Sequence, residues 1–491
     1  MERALRNTVT FLFGDEERRL IEPASTMTVL EWLRTEALAC GTKEGCAEGD
    51  CGACTVVVGQ LEGDAVHYRP VNACIMVAAA LDGTHLLTVE HLRAKDGTLH
   101  PVQRAMVDNH ASQCGFCTPG FVMSLLALYQ QGRGAGEAVE ALAGNLCRCT
   151  GYRPIIDAAR QSCFGVADDA VSRNAAATEA WLRARDPAPL AFGAAEARYL
   201  SPRSLDELAE VFHANPHATL LAGGTDVGLW ITKERRPLPF IVALGQVAEL
   251  AEITMTDTAI VIGAAATYGR CLLVLQAEWP ELGAMLRRLG SRQIRNLGTI
   301  GGNLGTASPI GDMAPALLAL DARLHLRCGP ASRVVPVSGF FTGYRRTILA
   351  PGELIAAIEI ARPAADAVLK IYKVTKRLEE DISAVCAAFH LRLRDGVVAE
   401  FRAGWGGMAA TPLRSRELEA LLTGQPWNEA TIEAGMRALN AELHPLSDMR
   451  ASSAYRTTLA RNLLLKLYLE TTARLETTGG DRRTRLAPRA A

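Results

Sequence analysis

Glu44-Gly-Cys-Ala-Glu-Gly-Asp-Cys-Gly-Ala-Cys54 is the stretch on which the fold of the N-terminal region turns. Cys46, Cys51 and Cys54 follow one another as C-x4-C-x2-C, and Cys74 stands further on. That spacing lets one loop wrap a cluster of two irons and two sulfides while a fourth thiolate arrives from elsewhere. Gly45, Gly49 and Gly52 allow the loop backbone to approach inorganic sulfide and to aim N–H groups at it.

A second group lies outward along the chain: Cys114-Gly-Phe-Cys117, then Cys147-Arg-Cys149 in the turn Asn145-Leu-Cys-Arg-Cys-Thr-Gly151. Thr118 is expected to cap a helix with Pro119 at its first position. Phe121-Val-Met-Ser-Leu-Leu-Ala-Leu-Tyr129 then reads as a buried helix. Thiolates just before a helix N-terminus are favoured by its partial positive charge. Taken alone, this group suits an iron–sulfur cluster or zinc equally. The first group fits zinc poorly, because zinc favours paired C-x2-C knuckles. Disulfides would imply secretion. Met1-Glu-Arg-Ala-Leu-Arg-Asn lacks the apolar core of a signal peptide, so a cytoplasmic location is expected.

At 491 residues the chain exceeds one core, and several domains are expected. An apolar content of 49% with 21% charged residues marks an ordinary globular protein. A net charge of −1 argues against nucleic acid as a partner. No run approaches the roughly eighteen apolar residues of a membrane span. The ten histidines show no HExxH or H-x3-H pattern, so a further metal site is not expected.

The order of elements divides the chain. Residues 1–92 read as a small sheet with one helix, the plan of a plant-type ferredoxin 2Fe–2S domain. Residues 93–165 turn to helices, near 102–109, 121–131, 138–143 and 155–161, forming an all-α four-helix domain around the second cysteine group. Residues 166–190, rich in Ala, Asp and Arg, read as a linker. Residues 191–363 and 364–472 alternate strands and helices, and 473–491 read as a disordered tail. The fold class is thus multidomain α+β, with a ferredoxin-like β-grasp domain at its head.

Two glycine-rich stretches, 220–228 and 298–312, carry the third constellation. Neither is a Walker A loop or a G-x-G-x-x-G fingerprint. Together they offer many unhindered N–H groups, with Thr225, Thr299, Asn303, Thr306 and Ser308 between them, a surface suited to pyrophosphate. Asp226 and Asp312 would repel phosphate and suit sugar or ribityl hydroxyls. Beside an iron–sulfur centre a flavin is favoured, since it exchanges single electrons with clusters and hydride with nicotinamide.

Three motifs carry a resemblance: Glu44 to Cys54, Gln113-Cys-Gly-Phe-Cys-Thr-Pro-Gly120, and Gly144-Asn-Leu-Cys-Arg-Cys-Thr-Gly-Tyr-Arg-Pro154. Over residues 5–470 the chain resembles the iron–sulfur/FAD subunits of bacterial two-subunit xanthine dehydrogenases, in the molybdenum hydroxylase family. The resemblance implies two 2Fe–2S clusters, on Cys46, Cys51, Cys54 and Cys74 and on Cys114, Cys117, Cys147 and Cys149. It implies an FAD-binding domain of the vanillyl-alcohol-oxidase/molybdenum-hydroxylase flavoprotein type, followed by an α+β C-terminal domain. FAD contacts are implied at Leu221, Ala222, Gly223, Gly224, Thr225, Asp226 and Val227, and at Gly298, Thr299, Gly302, Asn303, Thr306 and Asp312. Ile355 matches an apolar residue packed on the isoalloxazine, Lys373 a basic residue near its edge, and Leu289 a position where some relatives place an aromatic ring. Tyr344, within Phe340-Phe-Thr-Gly-Tyr-Arg-Arg-Thr347, and Glu380 are implied to lie near nicotinamide. Gln113 is implied to reach toward a pterin.

By resemblance, a separate large subunit carries molybdopterin, and the pair assembles as a dimer of heterodimers. Electrons pass from molybdenum through the clusters to FAD and NAD+, as hypoxanthine becomes xanthine and xanthine becomes urate. Other readings are a relative that hydroxylates another heterocycle or an aldehyde, a stand-alone iron–sulfur flavin reductase, and a structural zinc protein.

Overall fold

The computed structural model describes residues 5–132, 135–164, 167–194 and 197–472, with the backbone of 475–477 and 484–486. The first unit is a five-stranded sheet in the order Glu16–Ile21, Thr8–Phe13, His85–Leu87, Thr55–Glu62, Ala65–Asn72. Thr8–Phe13 and His85–Leu87 run parallel, and the other pairs antiparallel. Helix Val29–Thr35 crosses this sheet, started by the Thr28 hydroxyl accepting from the Glu31 N–H. It buries Val29, Leu30, Trp32 and Leu33. Trp32 stands edge-on to Phe11 and Phe13, with centroids 5.1 and 5.2 Å away.

Helices Pro101–Asp108, Thr118–Gln130, Ala138–Leu142 and Arg153–Ser162 form the second unit. Thr118–Gln130 is its centre: every residue from Gly120 to Tyr129 is buried, as an apolar sequence without a polar face requires. Cys117, not Thr118, occupies its cap position. Pro119 fits the first turn either way, having no N–H to satisfy, and the Thr118 hydroxyl pairs with Ser112 at 2.7 Å instead.

The stretch expected to be a linker is a docked structure. Helices Ala170–Arg173 and Ala175–Arg183 occupy it, and the second lies against strands Thr55–Glu62 and Ala65–Asn72 with Thr178 and Leu182 buried. A buried carboxylate provides the anchor. Asp169 caps the first helix through the Ser172 N–H at 2.7 Å, and its other oxygen accepts from His100 Nε2 at 2.8 Å and Gln130 Nε2 at 2.5 Å. His100 Nδ1 accepts from the Val102 N–H, so the imidazole proton sits on Nε2. Burial pushes the Asp169 carboxyl up, but the bonds from His100, Ser172 and Gln130 together outweigh it and hold the group well below the usual range. A depressed carboxyl contributes above its unfolded value and loses that contribution only as pH falls through the lower, folded value. Asp169→Ala strands the buried His100 Nε2–H and the half-buried Gln130 amide, at a cost of about 3 kcal/mol. Hydrogen exchange across Ala170–Arg183 is expected to accelerate at neutral pH while exchange in Thr118–Gln130 stays slow; equal protection in both would remove the anchor role.

The third unit has two sheets: Leu190–Phe192, Arg198–Ser201, Phe240–Ala243, Thr219–Leu221, and an antiparallel five-stranded one in the order Ile253–Met255, Ala259–Gly263, Glu353–Ala361, Arg323–Cys328, Ala331–Pro336. The fourth unit is the antiparallel sheet Ala367–Val374, Val385–Arg394, Val397–Gly406, Leu413–Arg414, with helices Arg416–Leu422, Glu429–Glu442 and Ser453–Thr471. Helix Met313–Ala319 joins the two units. A Cβ at Gly404 would lie 2.1 Å from the Pro315 carbonyl oxygen, so only glycine admits that approach. In the tail expected to be disordered, Leu475–Thr477 pairs antiparallel with Thr484–Leu486. Thr and Leu suit strands, and the apolar Leu475 faces Leu486 in the register; the rest of the tail lies outside the described residues. Among the described residues no helix is long and apolar enough to cross a membrane.

Candidate functional site

The loop 45–54 folds back on its own sulfur atoms. The Cys46 N–H donates to Cys51 Sγ at 3.3 Å, and the Glu48 and Cys51 N–H groups donate to Cys46 Sγ at 3.4 and 3.3 Å. Ala47, Gly49 and Gly52 take left-handed φ of 55°, 86° and 67° to allow this. A Cβ at Gly45 would press to 2.7 Å of Cys51 Sγ. Cys54 and Cys74 are buried beneath. Hydrogen bonds from Cys51 to Cys46, and from Cys74 to Cys54, pull Cys46 and Cys54 below the ordinary thiol range. A bond from Cys74 to Cys46, with the same bonds, lifts Cys74 and Cys51 above it. Sulfurs in such contact repel as four thiolates unless cations sit between them, and N–H groups aimed at sulfur stabilise the thiolate form.

The second group is paired differently. Cys149 bonds to Cys114, and Cys117, pushed up to about 12 by burial first, bonds to Cys147. Cys147 Sγ accepts from the Thr150 N–H at 3.4 Å. Four thiols gathered from two loops are the donor set that a two-iron cluster takes. Among the described residues no group of three or more His, Cys, Asp or Glu converges on a single ion. The groups adjoin: the Leu146 N–H donates to the Cys51 carbonyl at 2.9 Å. They differ in exposure. Cys114 and Cys149 reach the surface among Gln113, Phe116 and Leu146. The first loop is instead held by the third unit, with Thr232 Oγ1 donating to the Ala47 carbonyl at 2.7 Å and Lys233 reaching the Cys46 carbonyl.

The glycine-rich stretches meet as one wall of a cleft of about 170 Å³ between the first and third units. Leu221 ends a strand, and Gly224 turns the chain at φ +73° into helix Val227–Thr232. A Cβ at Gly223 would stand 1.6 Å from the Leu297 carbonyl oxygen, so the loops touch through backbone. Thr306 Oγ1 ties to Asp226 Oδ2 at 3.3 Å. Helix Ile300–Gly305 starts at Thr299, whose hydroxyl accepts from the Gly302 N–H at 3.0 Å. Ala222, Gly223, Gly224, Leu297 and Thr299 line the cleft, facing Met76, Val77 and Ala80. Asn303, in helix Ile300–Gly305, buries its Oδ1 without a partner among the described residues. An orphaned acceptor beside glycine N–H groups fits a hydroxyl- and phosphate-bearing ligand such as FAD.

Other expected site residues fall elsewhere. Lys373 and Asp312, both buried, form an ion pair, and Ser383 Oγ donates to Asp312 Oδ1 at 2.5 Å. Both carboxylate oxygens of Asp312 are thus already engaged. Ile355 is buried in strand Glu353–Ala361, and Leu289 packs half-buried on the same core. Tyr344 is 64% exposed at the tip of the hairpin Phe341–Gly343/Arg346–Thr347. Glu380 has Ser291 and Asp50 about it. Burial pushes the Glu380 carboxyl up to about 8, Asp50 of the first cysteine loop adds to the shift, and a hydrogen bond from Ser291 opposes it. Val227 begins its helix, and Thr225 sits in the turn before it.

Four family models cover the chain in order. They are the 2Fe-2S iron-sulfur cluster binding domain over 13–79, the [2Fe-2S] binding domain over 88–160, the FAD binding domain in molybdopterin dehydrogenase over 192–363, and the CO dehydrogenase flavoprotein C-terminal domain over 370–471. Xanthine dehydrogenase of Drosophila subobscura is 33% identical over 519 residues, taking in 93% of this chain and 38% of the fly protein. Xanthine dehydrogenase 2 of Arabidopsis thaliana is 32% identical over 87% of this chain. The chain therefore spans about two fifths of the length of these relatives. Among solved structures, carbon monoxide dehydrogenase of Hydrogenophaga pseudoflava superposes with a TM-score of 0.52 at 27% identity, over 55% of this chain and 94% of that one. Quinoline 2-oxidoreductase of Pseudomonas putida 86 gives 0.51 at 26%, over 56% and 96%. Four matched domains in one order, two cysteine groups and a flavin cleft make this chain an iron–sulfur/FAD member of the molybdenum hydroxylase family.

Proposed function

We propose that the chain is the electron-transfer subunit of a cytoplasmic two-subunit xanthine dehydrogenase. The polarity of exposure carries the reading. Cys114 and Cys149 are exposed beside Gln113, while no cysteine of the first group is exposed: Cys46 and Cys51 are half-buried, and Cys54 and Cys74 buried. When bound, the two 2Fe–2S clusters and FAD relay electrons from the molybdopterin of a large partner subunit to NAD+, as hypoxanthine and xanthine are oxidised. Cys46, Cys51, Cys54 and Cys74 would hold one cluster, and Cys114, Cys117, Cys147 and Cys149 the other.

The chain's residues bind and orient. Phe116 and Leu146, 49% and 62% exposed, give the outward sulfur group an apolar rim for the partner to cover and keep dry. Gly223, Gly224 and Thr299 present N–H groups toward the pyrophosphate, while the Gly302 N–H is held by the Thr299 hydroxyl, and Thr306 and Asp226 join the two loops. Lys373 and Asp312 neutralise one another beneath the ring site that Ile355 borders. Tyr344, exposed on its hairpin, meets nicotinamide. Glu380 holds a proton near neutral pH, which spares Asp50 a second negative charge at the seam. A dimer of two such pairs completes the assembly.

A relative acting on another heterocycle shares this geometry, as the likeness to quinoline 2-oxidoreductase favours, because the substrate site lies on the partner. The test is the native complex beside the lone chain. Loaded with iron and FAD, the lone chain is expected to oxidise NADH with an artificial acceptor and to leave hypoxanthine untouched, while the complex couples hypoxanthine to NAD+. Gln113→Ala is expected to slow purine-to-NAD+ turnover in the complex and spare NADH oxidation. Purine hydroxylation by the lone chain, or equal loss of both activities, would overturn the division of labour.

A further inference from the structure

Four polar side chains from three units meet in the interior: Thr55, Ser124, Asn145 and Gln293, none more than 4% exposed. Asn145 is fully used. Its Nδ2 donates to the Gly52 carbonyl at 3.0 Å and to Thr55 Oγ1 at 3.3 Å. Its Oδ1 accepts from Ser124 Oγ at 2.6 Å and Gln293 Nε2 at 3.2 Å. Gln293 Nε2 also stands 3.2 Å from both Thr55 Oγ1 and Ser124 Oγ.

The proton inventory dictates what position 293 must be. The Thr55 hydroxyl gives its proton to the Gly52 carbonyl at 2.7 Å, and the Ser124 hydroxyl gives its own to Asn145 Oδ1. Both turn lone pairs toward Gln293, as Asn145 Oδ1 does. Three acceptors face one group, so the NH2 end of the amide is the one that suits the place, its two protons shared among them. Gln293 Oε1 then points away without a partner among the described residues, where a Cβ at Gly144 would stand 2.2 Å from it. Leaving a buried carbonyl unpaired is unfavourable, so the donor end holds the amide in place against that cost.

Every strand of this knot ends beside a cysteine ligand. Gly52 lies between Cys51 and Cys54, and Asn145 lies two residues before Cys147. A Cβ at Gly120, three residues past Cys117, would meet the Gly52 carbonyl oxygen at 2.2 Å. Ile294, next to Gln293, would lie 3.1 Å from a Cβ at Gly49. Nothing in the knot touches a sulfur atom except through these loops.

We propose that Gln293 is a positioning residue: from the flavin unit, it fixes the spacing of the two cysteine groups, and with it electron exchange between their clusters. This rests on the reading of two clusters and one flavin per chain. The test uses the purified chain with iron and FAD quantified, in the unmodified protein and in Gln293→Glu and Ser124→Ala. The glutamate keeps the size of glutamine but turns an acceptor toward three acceptors.

The readout is the magnetic interaction between the two clusters in the fully reduced protein, seen as broadening or splitting of their electron paramagnetic resonance signals. Gln293→Glu is expected to keep iron and flavin, to alter that interaction, and to slow electron equilibration between the clusters. Reduction of FAD by NADH should keep its unmodified rate. Ser124→Ala, which removes one acceptor, should shift the same signal less. An unchanged interaction in loaded Gln293→Glu overturns the proposal. So does loss of iron or flavin from that variant, which would make the knot a plain structural support. If the unmodified chain fails to bind two clusters, the underlying reading fails first, before any variant is compared.

Discussion

Cys51→Ala is expected to remove about half of the iron from the chain and to leave FAD and the second cluster in place. The first group depends on its own loop: Cys46 and Cys51 exchange N–H···S bonds, and the Cys51 thiol bonds to Cys46. The second group draws its ligands from 114–117 and 147–149, and Cys51 touches it only through the main-chain bond from Leu146, which alanine keeps. The knot around Asn145 likewise uses the carbonyl of Gly52, not a cysteine side chain. Alanine also leaves a neutral, smaller group where a thiol crowds Gly45, so the loop is not forced open. Colorimetric iron and acid-labile sulfide, with the resonance spectrum of the reduced protein, check the result: half of each, and one cluster signal instead of two. Full iron would show that Cys51 is not a ligand. Complete loss would show that the two groups load as a single unit.

What could be read from the sequence was local. The C-x4-C-x2-C loop spans nine residues, so its spacing already restricts its chemistry. The caps at Thr28, Ser204 and Asn428 each act on an N–H three residues away. Distance in the chain hid the rest. Gln293 lies five residues before the second glycine-rich stretch and Asn145 opens the turn that holds Cys147 and Cys149, but their partners lie up to 238 residues away, so no spacing rule marks them. Asp169 looked like one more acid in a polar linker, because the histidine that buries it is 69 residues upstream. Asp312 and Lys373 were each assigned to the flavin; in the fold they neutralise one another across 61 residues. Glu380, expected beside nicotinamide with Tyr344, lies with Ser291 and Asp50 at the seam of three units. Only the docking of the sheets could place it there.

Gly302→Val is expected to lower bound FAD below about a tenth of the unmodified content, a loss of about 1.4 kcal/mol or more in affinity, with both clusters retained. Gly302 is exposed in the short helix Ile300–Gly305, and the only atom near a Cβ there is Thr299 Oγ1 at 2.9 Å. A branched side chain would displace the hydroxyl that caps the Gly302 N–H and cover the N–H groups offered to pyrophosphate. The fold should survive, since valine in a helix is no worse than glycine and no backbone lies in its way. The neighbouring Gly301 is the contrast. A Cβ there would meet the Ala264 carbonyl oxygen at 2.5 Å, so Gly301→Val is expected to disturb the third unit itself. Flavin absorbance, iron content and far-ultraviolet circular dichroism on the two variants separate the cases: Gly302→Val should lose only the flavin, and Gly301→Val should lose flavin together with order. Stoichiometric FAD in Gly302→Val would move the pyrophosphate off the second loop. Because the Thr232 and Lys233 contacts that hold the first cysteine loop stand outside that loop, iron should stay full even when the cleft is empty. Iron falling in step with flavin would instead mean that the bound dinucleotide, and not the protein alone, holds the first cysteine loop against the third unit.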